Sequence, residues 1–144
     1  MHAETAALLQ DLVRREGRSL LQYVSESFPW TTAKNQHVLP VLQNLAKEEQ
    51  EGTAAIVQYL LKNRRRPPYL GAYPMSFTTI NYMSLDFLIP YLIEFEKRRI
   101  AELEKDSGLV SEDEVKKLLK SLLEMKQNHL AVLSSLIEAA KPAA

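Results

Sequence analysis

Four long stretches of this chain place apolar residues at i, i+3, i+4 and i+7, and each stripe is interrupted by an ionisable residue. The first runs from about residue 4 to 27, with Leu9, Leu12, Ser19, Leu20 and Tyr23 on one face and Glu16 among them. The second follows a cap expected at Thr31 or Thr32 and continues to about residue 62. It carries Val38, Leu42, Leu45, Ala46, Ile56 and Tyr59, with Glu49 on the same face. The third begins after Ser76-Phe77-Thr78 and sets Glu96 among Leu85, Leu88, Ile89, Leu92, Ile100 and Leu103. The fourth, opened by a capping box from Ser111 to Glu114, aligns Lys126 and His129 with Val115, Leu118, Leu119, Leu122, Leu133 and Leu136. A charge that a helix turns toward a core must be paired, neutralised or bound to a metal, so these five positions point to chemistry or to a deliberate ion cluster.

The predicted fold class is all-α. No run alternates with period two, and no Asn-Gly or Asp-Gly hairpin turn occurs. Phe28-Pro29-Trp30 should end the first helix, Pro40 should sit in the first turns of the second, and Pro90 should bend the third. Short connections within each half predict two antiparallel helix pairs. Between the halves, residues 64–74 read Arg-Arg-Arg-Pro-Pro-Tyr-Leu-Gly-Ala-Tyr-Pro. Held extended by its prolines, a strap of this kind reaches about 40 Å over roughly fourteen residues. That returns the chain to the end where the second helix began and gives a four-helix bundle of two hairpins joined by a long crossover. Residues 1–144 are expected to form one domain.

Lys plus Arg and Asp plus Glu number 18 each, which removes the positive field that nucleic-acid binding requires. There is no cysteine for thiolate catalysis or thiolate metal sites. The start of the chain has no basic region followed by an apolar run, and no stretch approaches the ~20 apolar residues of a membrane span. The expectation is a cytoplasmic protein without membrane or nucleic-acid partners. Tyr69 and Tyr73 on the strap leave a homodimer open, and the Arg64-Arg65-Arg66 run reads as solvated surface before it reads as a phosphate site. No glycine-rich phosphate loop, nucleophile elbow or zinc spacing is present, so no catalytic residue is assigned.

With Glu16 followed seven residues later by Tyr23, Glu49 inside Lys47-Glu48-Glu49-Gln50, Glu96 inside Glu94-Phe95-Glu96-Lys97, and Lys126 three residues before His129, the chain resembles the ferritin-like superfamily. Its small rubrerythrin-like bundles are the nearest in kind. The resemblance implies a dimetal centre of iron or manganese, held by one Glu from each of two helices and a Glu-x-x-His pair from each of the other two. Here Glu16, Glu49, Glu96 and His129 stand at ligand positions, Gly52 stands where a histidine belongs, and Lys126 replaces a bridging Glu. Two divalent ions need about four carboxylates, and an ammonium group in place of one repels the metal. The expected site is therefore a degenerate one. Lys126 and Tyr23 would form a charge cluster with vestigial or weak metal positions at Glu16, Glu49, Glu96 and His129, with no cofactor and a structural or binding role.

Two other functions stay open. One is an iron- or manganese-dependent oxidoreductase, ferroxidase-like, with a mononuclear site of Glu49, Glu96 and His129. The other is a helical interaction module of a larger assembly, in which inward charges fix register. Individual residues have plainer readings too. Glu16 or Glu96 could pair with Arg15 or Arg99 at a boundary, and His129 could be a hydrogen-bonded core histidine. Tyr23, Tyr59 and Tyr82 could be core tyrosines, and Gly52 either makes room for the Lys126 stem or is incidental.

Overall fold

The computed structural model describes residues 1–27, 29 and 31–140, with the side chains of 138–140 left aside. Its helices are α1 (Ala3–Glu16), α2 (Leu20–Glu26), α3 (Val38–Lys62), α4 (Leu85–Ser107) and α5 (Asp113–Ala140), with a 3₁₀ helix at Met75–Ile80. Among the described residues there is no β-strand, and no helix is long and apolar enough to cross a membrane. The stop signal expected at Phe28 and Trp30, and a last helix reaching Lys141, fall on residues outside this description.

The expected first helix is two helices. The α1 spiral ends where the Gly17 N–H reaches Val13 O at 2.8 Å, and α2 starts after Ser19, whose backbone is extended (φ −76°, ψ 160°). The Ser19 hydroxyl accepts from the Gln22 N–H at 3.2 Å and so caps α2. Gly17 suits this place because a Cβ would meet the backbone oxygen of Val13 at 2.8 Å as well as Leu70 Cδ1 of the strap at 2.7 Å.

The cap expected at Thr31 or Thr32 does not form. Residues 33–37 make turns, with Thr32 N–H donating to Asn35 Oδ1 at 2.6 Å and Val38 N–H to Asn35 O at 3.0 Å. The asparagine side chain offers the backbone a local alternative to helix, and Asn35 is itself held by donating from Nδ2 to Asp86 Oδ1 at 2.7 Å. Likewise, the residues after Ser76 form the 3₁₀ helix, and α4 begins only at Leu85. The fourth segment starts at Asp113, so Glu112 rather than Ser111 holds the cap position. Pro40 lies in the first turn of α3, and α4 continues unbroken through Pro90.

Two apolar clusters show how the helices run. One joins Leu21 and Val24 of α2, Val38 and Leu42 of α3, Leu88 and Leu92 of α4, and Leu133 of α5. The other joins Leu9 and Leu12 of α1, Ile56 and Leu60 of α3, Leu103 of α4, and Val115 and Leu119 of α5. The α1–α2 pair therefore runs antiparallel to α3, and α4 runs antiparallel to α5. Because α4 starts at the same end as α3, residues 64–84 must traverse the molecule. They do so along α1 and α2: Arg65 Nη2 donates to Met1 O (3.2 Å), Gln10 Nε2 to Arg66 O (2.8 Å) and Arg18 Nε to Gly71 O (2.9 Å). The far end is tied by Tyr73, whose hydroxyl donates to Glu26 Oε2 at 3.0 Å. Gly71 has φ +68°, a conformation that side chains disfavour, and this lets the strap turn against Arg18.

Candidate buried charge cluster

Between the two apolar clusters lies a polar layer. Glu16 closes α1, Glu49 sits mid-α3, Glu96 mid-α4, and Lys126 and His129 lie one turn apart on α5; all five are buried. Their helices bring them together as the stripes imply. Lys126 Nζ is fully enclosed, 2.5 Å from Glu16 Oε2, 3.3 Å from Glu96 Oε1 and 3.7 Å from Glu49 Oε2. Neither Glu16 nor Glu96 turns out to a boundary. Arg15 does approach Glu16 Oε1 at 3.7 Å, but it pairs more closely with Glu102 (2.9 Å) and Asp106 (2.7 Å).

Glu49 has two partners that the stripe analysis did not assign. Ser19 Oγ and Gln22 Nε2 both donate to its Oε1, the latter at 2.7 Å, and Gln22 Nε2 also reaches Glu16 O at 2.8 Å. Each was visible only as a polar residue on an apolar face. A third unassigned participant is Glu48, whose Oε2 lies 2.9 Å from His129 Nε2, while the buried His129 Nδ1 has no hydrogen-bond partner among the described residues.

Tyr23 does not join the cluster. Its hydroxyl donates to Asn81 Oδ1 on the strap, and its ring lies 5.3 Å from that of Tyr73 and 5.7 Å from that of Phe77. A seven-residue offset from Glu16 keeps phase only on an unbroken helix, and the chain is interrupted between them at Gly17–Ser19. Tyr82 is 92% exposed and so is not a core residue. Tyr59 is half-buried, and burial raises its hydroxyl above the usual value. Gly52 does not make room for Lys126: a Cβ there would meet Leu122 Cδ1 at 3.2 Å and Met125 Sδ at 3.3 Å, at the α3–α5 seam.

Burial pushes the Glu16 carboxyl up, with Lys126 opposing and Glu49 reinforcing the rise. Burial likewise pushes Glu96 up to about 7, against the pull of Lys126. On Lys126 itself burial acts downward, but Glu49, Glu16 and Glu96 outweigh it and hold the ammonium above its ordinary value. The lysine is therefore a fixed cation, and beside it Glu96 titrates near neutrality.

The donor set does not fit two metal ions. Three carboxylates surround the position, and the ammonium between them repels divalent cations. One ion is a closer match: ligand atoms of Glu49, Glu96 and His129 lie within 4.8 Å of one another. Ligands at 2.0–2.2 Å from one ion stand at most about 4.4 Å apart, so a small contraction would suffice. Lys126 Nζ lies against two of those three residues.

The α3–α5 pair carries an internal correspondence. Gly52, three residues after Glu49, faces Met125, the residue before Lys126; His129, three residues after Lys126, faces Glu48, the residue before Glu49. Compared with known protein families, curated proteins and solved structures, the chain matches none.

Proposed function

We propose that this chain is a ferritin-like four-helix bundle, two antiparallel hairpins joined by a long crossover, whose dimetal centre has been replaced by a lysine–carboxylate cluster. It serves as a structural or binding protein. The observation that carries this reading is Lys126 Nζ, enclosed by carboxylates from α1, α3 and α4 at the point where bound ions would lie. The reciprocal Gly52–Met125 and His129–Glu48 contacts support it, since they pair the Glu49 and Lys126 positions across α3 and α5 as equivalents. An ammonium supplies the positive charge that metal ions would otherwise supply, and it does so without open coordination sites or redox chemistry.

The second reading, a metal-dependent oxidoreductase with one ion, is favoured by the compact Glu49, Glu96 and His129 group and by the unpartnered His129 Nδ1. Elemental analysis of protein purified from cells grown with iron and manganese separates the two. Substoichiometric metal is expected, together with no heat of tight binding when ferrous or manganous ion is titrated anaerobically. One tightly held equivalent per chain would overturn the cluster reading in favour of the oxidoreductase.

A further inference from the structure

A second concentration of charge lies outside the cluster. Arg14 and Arg15 of α1, Arg18 beyond it, and Arg98 and Arg99 of α4 line one cavity of about 560 Å³ between these helices and the strap, and no acidic residue lines it with them. In a chain of zero formal net charge, five guanidiniums around one hollow are a local excess. Part of that charge is balanced from outside: Arg14 by Asp11 (2.5 Å), Arg15 by Glu102 and Asp106, and Arg99 by Glu102 (2.8 Å).

The rest is not balanced. Among the described residues Arg18 donates only to the carbonyls of Gly71 and Gly17, both at 2.9 Å, and lies 5.4 Å from the Tyr73 ring. Arg98 makes no ion pair among the described residues, and its guanidinium lies 6.0 Å from the Phe95 ring centre. The Arg99 Nε–H is shielded from solvent and has no acceptor among the described residues. A shielded donor without a partner calls for an explanation, and a missing acceptor is the simplest one.

Leu20, Phe77, Ile80 and Phe95 supply an apolar floor, and the Arg99 guanidinium stacks 4.5 Å over Phe95. The volume falls within the roughly 300–1,000 Å³ typical of small-molecule sites. Arginine forks recognise carboxylates and phosphates through paired hydrogen bonds, and stacking on an aromatic ring holds the fork in place.

We propose that this arginine-lined cavity binds a small amphipathic anion, its carboxylate or phosphate head between Arg18, Arg98 and Arg99 and its hydrocarbon body on Phe77, Ile80 and Phe95. The inference does not depend on whether the buried cluster descends from a metal site.

The test is calorimetric titration of the intact protein with dodecanoate and with dodecyl phosphate below their micellar concentrations. Inorganic phosphate serves as head without tail, and dodecanol as tail without head. The expected result is one saturable site for a tailed anion, with both controls at least about tenfold weaker. Whichever of the two anions binds more tightly identifies the head group. R98Q and R18Q should each weaken binding several-fold, A72W should occlude the cavity, and K120Q, on an exposed face of α5 away from it, should change nothing. Arg18 also holds the strap, so R98Q, which forfeits no hydrogen bond among the described residues, is the decisive variant if R18Q loses structure. Absence of saturable binding, equal affinity for dodecanol, or binding indifferent to both R98Q and A72W would each overturn the proposal.

Discussion

An ammonium group closed off from water is costly to bury unless its neighbours compensate, and Lys126 meets that condition with three carboxylates drawn from three other helices. Removing the cation should therefore cost more than the packing of one side chain. Lys126→Met is expected to destabilise the protein by about 3–5 kcal/mol at neutral pH, because it strands buried carboxylates. The sign of the pH dependence follows from the raised carboxyl pKa values of Glu16 and Glu96. A carboxyl whose folded pKa exceeds its unfolded value stabilises the fold while protonated, an advantage fully present below about 4.5 and lost as pH rises through about 7 for Glu96. Lys126→Met lifts those pKa values further, so denaturation at pH 5 and pH 8 should show the larger loss at pH 8. Equal losses at the two pH values would count against the pairing. The five core members of this cluster were legible in the sequence because a charge on an apolar helical face has few other places to go. Ser19, Gln22 and Glu48 were not, since hydroxyl and amide residues on such faces are common and Glu48 lies off the stripe.

At the scale of helices, the break between α1 and α2 escaped the periodicity for a specific reason. Leu12, Glu16 and Leu20 stay four residues apart across it, so the stripe remains in phase while the backbone does not continue. What makes the break is a tight crossing at Gly17 and a cap at Ser19, and that cap also donates to Glu49. Ser19→Ala should consequently lose both a helix cap and a hydrogen bond to a buried carboxylate, roughly 2–3 kcal/mol together. Urea denaturation measures this, and a loss under about 1 kcal/mol would mean that α2 does not depend on its cap. The late starts of α3 and α4 were hidden for a different reason: Asn35 and the Met75–Ile80 turn use local hydrogen bonds that apolar spacing does not encode. That an extended strap crosses the bundle was, by contrast, readable from its prolines, although the crossover continues through the 3₁₀ helix to residue 84.

For the whole molecule, the polar layer separating the two apolar clusters converts two substitutions into a test of descent. Gly52→His with Lys126→Glu would place four carboxylates and two imidazoles on α1, α3, α4 and α5, provided Met125 swings away from the new side chain at the α3–α5 seam. The double variant is expected to bind close to two equivalents of ferrous or manganous ion and to melt at a higher temperature when loaded, as ligand linkage requires. Each single variant should bind weakly, one keeping the cation and the other lacking an imidazole. Anaerobic calorimetry decides it, and a folded double variant that takes up no metal would refute the proposed descent.

The strap has a consequence for the order in which the chain assembles. It divides the buried charges unequally: Glu16 and Glu49 precede it, whereas Glu96 and Lys126 follow it. The later pair of helices can close around a neutral couple by itself. The earlier pair holds two inward carboxylates with no lysine between them, and must keep them protonated or solvated until α5 arrives. The carboxylates of the first half thus find their compensating cation only on the second half, carried there by α5.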